Sequence, residues 1–191
     1  MPRAIATALI VLVLAGCGRP EERAAAPAAP VAEAAPATVA PPATPVSTIL
    51  APEGQFDAIS NTAMGVTGDL TGAAGALTFS EGQEYGLSGV ATGKAADAYA
   101  DTKASFASLI NVPDTGEVRV FRVTREEKGK ARNGGLCGAD ATTYVVTHQG
   151  VDSSGAPSLV LVAFKGAAAP SAAAPEADLC GTYMYAPKAA G

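Results

Sequence analysis

Short segments with strand-like patterns follow one another through most of the chain, and this succession restricts the fold more than any other feature. The clearest are residues 143–147 (Thr-Tyr-Val-Val-Thr) and 158–164 (Ser-Leu-Val-Leu-Val-Ala-Phe), which are rich in β-branched and aromatic residues. Strands joined by short connections pair antiparallel, because a parallel pair needs a long crossover. The pattern therefore predicts a mostly antiparallel sheet.

Further strands are predicted before and after this pair, each bounded by turn residues. They are residues 56–60, 63–70, 76–79, 84–87 and 181–185. The segments 76–79 and 84–87 form a hairpin around a Ser-Glu-Gly-Gln turn. Residues 117–120 also alternate, and residues 121–123 continue in the opposite phase, which indicates either a β-bulge or a strand covered on both faces.

One segment has the spacing of an amphipathic helix. In residues 94–110, Tyr99, Phe106 and Ile110 fall on one stripe, and Pro113 would end the helix. A single helix among antiparallel strands predicts the α+β class, with one main helix at about residues 94–110.

The segment before this helix, residues 89–94 (Gly-Val-Ala-Thr-Gly-Lys), has a superficial likeness to a phosphate-binding loop. Such a loop needs an earlier glycine and a Ser or Thr after the lysine, but Ser88 and Ala95 occupy these positions. We interpret the segment as a turn that leads into the predicted helix.

The N-terminus has the three parts of an export signal. Arg3 is followed by apolar residues 4–15 and then by Gly16 and Cys17. The apolar run has the length of a secretory signal, about 7–15 residues, and is too short to span a bilayer, which takes about 20. With Leu14-Ala15-Gly16-Cys17 as its lipobox, this leader resembles a bacterial lipoprotein signal peptide.

The resemblance implies that residues 1–16 are removed and that Cys17 becomes a lipidated N-terminus. Its sulfur would carry a diacylglyceryl group and its amine an acyl chain such as palmitate. Two chains already give stable anchoring, so three would hold the protein permanently at a membrane. Gly18 stands where inner-membrane lipoproteins have their sorting aspartate, which favours the outer membrane of a bacterial cell envelope.

Residues 17–47 are predicted to be a disordered tether. They are rich in alanine, but prolines at 27, 30, 36, 41, 42 and 45 prevent a stable helix. An extended polyproline-type spacer would reach at most about 3.1 Å per residue. Residues 48–187 then form a single globular domain, with residues 188–191 as a tail.

The two cysteines beyond the leader, Cys137 and Cys180, form the only possible pair within the domain. Disulfides persist in the oxidising compartments outside the cytoplasm, so we expect these residues to be bridged. A bridge closing a loop of this length would stabilise the fold by about 4 kcal/mol in the chain-entropy estimate. The alternative is two buried free thiols.

No catalytic constellation or cofactor site is evident. The chain has one histidine, His148, whereas a transition-metal site normally needs at least two N or S donors. A Ser–His–Asp triad would need the same histidine, and no Gly-x-Ser-x-Gly motif occurs. Acidic residues are scattered among predicted loops, and no two of them are marked as a catalytic pair by spacing. We predict no catalytic residue, no metal and no cofactor.

Charge is unevenly distributed. The chain has a net charge of −5, which argues against nucleic acid as a partner. Its basic residues concentrate in residues 118–132, where Arg119, Arg122 and Arg125 form a possible interaction patch for an acidic protein or envelope component. The alternative is a solvated strand whose edge is guarded by charge.

These features predict a lipid-anchored protein of the cell envelope whose domain is a non-catalytic binding module, of the inhibitor or assembly-accessory type. The alternative is a hydrolase of envelope polymers that uses carboxylates not identifiable by spacing. A flat or edge-strand surface would favour the module, whereas a concave pocket with converging carboxylates would favour the enzyme.

Overall fold

The computed structural model describes residues 48–152 and 154–189. Eight antiparallel strands close into a barrel in chain order, with β1 paired to β8. The strands are β1 (Gly54–Ala58), β2 (Leu70–Ala73), β3 (Ala76–Phe79), β4 (Glu84–Lys94), β5 (Glu117–Glu127), β6 (Tyr144–Val151), β7 (Pro157–Phe164) and β8 (Leu179–Pro187). The connections contain helices α1 (Asn61–Val66) and α2 (Phe106–Ile110) and a short 3-10 helix, Glu176–Asp178. The antiparallel sheet is confirmed, but the class is mostly β and not α+β.

The main helix predicted at residues 94–110 is wrong, since only its last turn is helical, as α2. The N-cap of α2 is Ser105, whose hydroxyl accepts a backbone hydrogen bond from the first turn. Just before it, Lys103 has a left-handed backbone with φ of 65°. The Tyr99 N–H donates to the Ala104 carbonyl (3.0 Å). The chain therefore reverses direction in a segment where the apolar spacing predicts a helix.

The strand predicted at residues 63–70 is also wrong, because α1 occupies the first half of that segment. The Ser60 hydroxyl accepts a hydrogen bond from the Ala63 N–H at 3.1 Å and so caps the helix. Gly68 lies just after the end of the helix and has a φ of 64°, a conformation that glycine adopts without strain. Strand β2 begins only at Leu70.

The barrel interior is filled by side chains. Inward-facing residues of all eight strands contribute to one hydrophobic cluster, and Phe79 and Tyr85 pack edge to face with ring centroids 5.8 Å apart. Its large members are Phe56, Leu70, Leu77, Phe79, Tyr85, Val145, Leu159, Leu161, Tyr183 and Tyr185. Strand β5 reaches this cluster through the half-buried Val123.

A second hydrophobic cluster covers part of the outer surface of the barrel. Residues 95–112 lie over the outward faces of β5, β6 and β7, with Tyr99 and Phe106 packed on Phe164 at ring distances of 6.2 and 6.5 Å. The apolar spacing that predicts a helix therefore has another cause, since these side chains form a cover over a sheet. Strands β6 and β7 are consequently buried on both faces.

Burial on both faces also explains the two phases of alternation in residues 117–123. Val118 and Val120 belong to the outer cluster, whereas Phe121 pairs with the inward-facing Val145. The ladder with β4 also has two bulges: Thr124 is an extra residue in β5, directly after this segment, and Val90 is an extra residue in β4, between Gly89 and Ala91.

One end of the barrel is closed by the loop of residues 128–143, here called the cap loop. The buried Leu136 contributes to the interior cluster, and the Lys128 ammonium donates to the carbonyls of Gly138, Ala139 and Asp140 at 3.0, 2.9 and 2.7 Å. The predicted disulfide is confirmed, and it joins Cys137 of this loop to Cys180 of β8 with Cα atoms 5.0 Å apart.

Candidate functional site: the open edge of strand β4

Strand β4 is much longer than its neighbour β3, and this difference leaves part of the sheet without a partner strand. Pairing with β3 covers only Glu84–Gly86, and one further bond runs from the Leu87 N–H to the Gly75 carbonyl at 2.8 Å. Beyond that point β5 is the only described strand that pairs with β4. We call Ser88–Gly93 the free edge, since no other described segment pairs with its outer side.

The free edge is accessible and carries no charged side chain. Ser88 to Thr92 are exposed and Gly93 is half-buried. The bulge places Val90 at its centre, with 49 % of the residue exposed. Natural proteins protect such edges with charges, prolines or bulges, and here the bulge is the only one of these devices within Ser88–Gly93.

On the outward side of the free edge lies an apolar groove of about 390 Å³. Ala91 and Gly93 face this side, because they pair with Val120 and Val118 of the outer cluster. The apolar lining comes mainly from Ala91, Ala98, Phe106, Val118, Val120 and Pro170. We call this the outer groove.

On the inward side, a second cleft of about 250 Å³ lies at the open mouth of the barrel. Thr92 pairs with Arg119 and lines both this cleft and the outer groove. The Arg119 guanidinium donates to the Glu117 carboxylate at 2.8 Å. Ile49 covers the inner face, and a Cβ atom at Gly89 would lie only 2.5 Å from that of Ile49, which explains the glycine.

Lys94 ends the strand beside these two clefts. Its backbone N–H donates to the Asp97 carboxylate at 2.8 Å, which fixes the turn that follows. Its side chain is exposed, and the ammonium group makes no ion pair within the described part of the chain. Glu117, the β5 residue paired with Lys94, also binds Arg119, so two cations and one carboxylate leave a net positive charge beside the free edge.

The three arginines predicted as an interaction patch lie in different surroundings. Arg122 faces outward, with its guanidinium 6.0 Å from the centre of the Tyr144 ring. Arg125 pairs with the carboxylates of Glu84 and Glu127, each at 3.2 Å. Arg119 lies on the opposite face of the strand, beside the free edge, because residues three apart on a strand point to opposite sides.

His148 is buried on the outward face of β6. Its Nδ1 lies 2.9 Å from the Glu117 carbonyl oxygen, while Nε2 has no hydrogen-bond partner in the described structure. Among the described residues, no group of three or more His, Cys, Asp or Glu side chains is placed to hold a metal ion.

A further cleft, of about 420 Å³, lies beside the disulfide at the capped end. Its wall includes the ion pair between the Lys165 ammonium and the Asp140 carboxylate, at 2.9 Å. This pairing lowers the pKa of Asp140 and raises that of Lys165. Among the described residues, Asp140 is the only acidic one in the lining of this cleft. In the same way, Asp97 is the only acidic one in the outer groove and Glu117 the only one in the cleft at the barrel mouth.

The sequence does not predict the free edge, because residues 89–94 suggest a turn. Gly89 and Gly93 favour that interpretation, yet Gly89 serves the close approach of Ile49 within a strand. The signal that could have identified a strand is the β-branched pair Val90 and Thr92.

Cys17 and the predicted tether of residues 17–47 lie outside the described residues. Within the part that is described, no helix has the length and apolar character needed to cross a membrane. Comparison of the chain with family models, with curated proteins and with solved structures gave no match.

Proposed function

We propose that this protein is anchored in the bacterial cell envelope through lipid on Cys17 and that its barrel is a non-catalytic binding module. The partner protein would bind along the free edge of β4. The lipid anchor follows from the lipobox at Leu14–Cys17, and the binding role follows from the free edge.

The observation that carries this proposal is a strand edge over Ser88–Gly93 that is exposed and uncharged and that no other described segment pairs with. Such an edge presents backbone N–H and C=O groups that another chain can satisfy by adding a strand to the sheet. The barrel interior is occupied by side chains, so recognition falls to the outer surface. Hydrolysis by paired carboxylates is not favoured, because the three clefts described above each contain a single acidic residue.

Site-specific photo-crosslinking in living cells tests the proposal with the complete, tethered protein. A photoreactive amino acid replaces Val90 on the free edge or, as a matched control, Val151 at the end of β6, since the two valines are 49 % and 51 % exposed. We expect a discrete crosslinked product from position 90 that is absent from position 151. Equal crosslinking from both positions, or none from position 90, would contradict the proposal.

A further inference from the structure

From the free edge and the two clefts beside it, we infer the chemistry of the segment that binds there. The partner contributes an extended strand in which aliphatic side chains, facing the outer groove, alternate with acidic side chains, facing Lys94 and Arg119. This inference rests on the proposed function and specifies the partner class for the same site.

The alternation follows from strand geometry. Successive side chains of an added strand point to opposite faces of the sheet, so one set faces the outer groove and the other faces the barrel mouth. Thr92 borders both clefts, which places them on the two sides of one strand position. In recognition by strand addition, the backbone ladder supplies affinity and clefts for alternate side chains supply specificity.

The outer groove selects aliphatic side chains of modest size. Its lining includes the small apolar residues Ala91, Ala98, Val118 and Val120 and the ring of Phe106. Burying a valine or leucine there removes apolar surface of both partners from water, which is favourable at about 25 cal/mol per Å². An acidic side chain in the same place would lose its hydration and would lie in the same groove as the Asp97 carboxylate.

The inward side selects acidic side chains by charge complementarity. Lys94 lies at the end of the edge strand and its ammonium has no ion-pair partner among the described residues. Arg119 adds a second cation. Glu117, which binds Arg119 and lies opposite Lys94 on β5, supplies one carboxylate, so the group keeps a net positive charge. Opposite charges on directly adjacent strand positions attract each other, and a lysine of the partner at this position would be repelled.

A second copy of this chain fits the inward side less well. If two free edges paired with each other, each would present Tyr85–Gly93, a stretch without an acidic residue, to the Lys94 of the other. This pairing would bring no acidic side chain to Lys94 and Arg119, so the structure favours a different protein as the partner.

Synthetic peptides added to the complete mature protein test the inference. The probe is an acetylated and amidated peptide in which valine and glutamate alternate. Two comparison peptides carry lysine in place of glutamate, or N-methyl groups on alternate backbone amides. Binding is followed by NMR from the amide shifts of Ser88–Gly93 and from the dissociation constant.

We expect the valine–glutamate peptide to change the amide chemical shifts of Ser88–Gly93 and the lysine peptide to bind more weakly. N-methylation should abolish binding, because it removes the backbone N–H groups that donate hydrogen bonds between the strands. Lys94→Gln should weaken binding of the glutamate peptide by about two- to fivefold. The matched control Lys130→Gln should leave binding unchanged, since Lys130 is exposed on the cap loop at the other end of the barrel.

Three results would overturn the inference: equal binding of the glutamate and lysine peptides, binding that survives N-methylation, or a dimer of the protein through the free edge in place of peptide binding. These failures are distinguishable from failure of the proposed function. If crosslinking from position 90 captures a partner while the glutamate peptide does not bind, the module stands and the assigned partner chemistry is wrong.

Discussion

The Tyr183 hydroxyl donates a hydrogen bond of 2.6 Å to the carbonyl oxygen of Leu136, at the centre of the cap loop. On the other side of the same residue, the Leu136 N–H donates to the Tyr85 hydroxyl at 2.8 Å. Both backbone groups of a buried loop residue are thus satisfied by tyrosines of the barrel, which lets the loop enter the barrel without leaving polar groups unpaired.

Leu136→Ala should destabilise the domain by about 2–5 kcal/mol, because it removes a buried side chain and leaves a cavity under the cap loop. The free energy of unfolding from denaturant titration measures this loss. Val151→Ala is a suitable control, since Val151 is 51 % exposed; it should change stability by less than about 0.5 kcal/mol. Similar losses for both variants would show that Leu136 does not anchor the loop.

Replacing Cys137 and Cys180 together by serine should lower the free energy of unfolding by about 2–4 kcal/mol, because the unfolded chain regains the freedom that the bridge removes. The unfolding midpoint of the oxidised protein, measured with and without reductant, provides an independent check. Thiol counting on the unfolded, unreduced mature protein should detect no free thiol. Two reactive thiols would refute the bridge.

Stability should fall as the pH rises above about 10, the ordinary pKa of tyrosine. Burial raises the pKa of Tyr183 to about 12 and also raises the pKa values of Tyr85 and Tyr185. Above about pH 10 the unfolded chain releases these phenolic protons while the folded chain retains them. Each such tyrosine therefore lowers stability by about 1.4 kcal/mol per pH unit in that range.

Denaturant unfolding at a series of alkaline pH values measures this dependence. Tyr183→Phe should reduce the slope of stability against pH, because one of the retained protons is absent. An unchanged slope in this variant would mean that Tyr183 ionises equally well in both states.

Cys17→Ser should leave a larger, unprocessed precursor that is not labelled by radioactive fatty acid, because the modified thiol is absent. Electrophoresis of labelled cells measures both effects. Cys137→Ser is the matched control and should be processed and labelled like the wild type. Normal processing of Cys17→Ser would contradict the lipoprotein prediction.

His148→Gln should preserve crosslinking from position 90, because a non-catalytic module does not need the one histidine of the chain. The glutamine amide can donate to the Glu117 carbonyl near which His148 Nδ1 lies. Circular dichroism should verify the fold of the variant. A folded variant that lost all partner crosslinking would contradict this prediction and show that partner binding depends on His148.

Local patterns predict the local parts of this fold. The β3–β4 hairpin and the β6–β7 pair follow from alternation and turn residues, and the disulfide follows from the two remaining cysteines. Barrel closure could not be predicted, because β1 and β8 pair across the whole domain and no local pattern encodes their register. The same limit explains the helix error, since the apolar spacing of residues 95–112 reflects a distant sheet surface.

The outer cover over β5, β6 and β7 also divides the barrel into regions of unequal local stability. Opening β6 or β7 would expose both hydrophobic clusters at once, so their amides should exchange with solvent only through global unfolding. Strands β2 and β3 bury one face each, and the free edge of β4 has no second neighbouring strand in the part of the chain that is described. Their amides should exchange through smaller openings, so a partner strand would be detectable as a slowing of exchange at Ser88–Gly93.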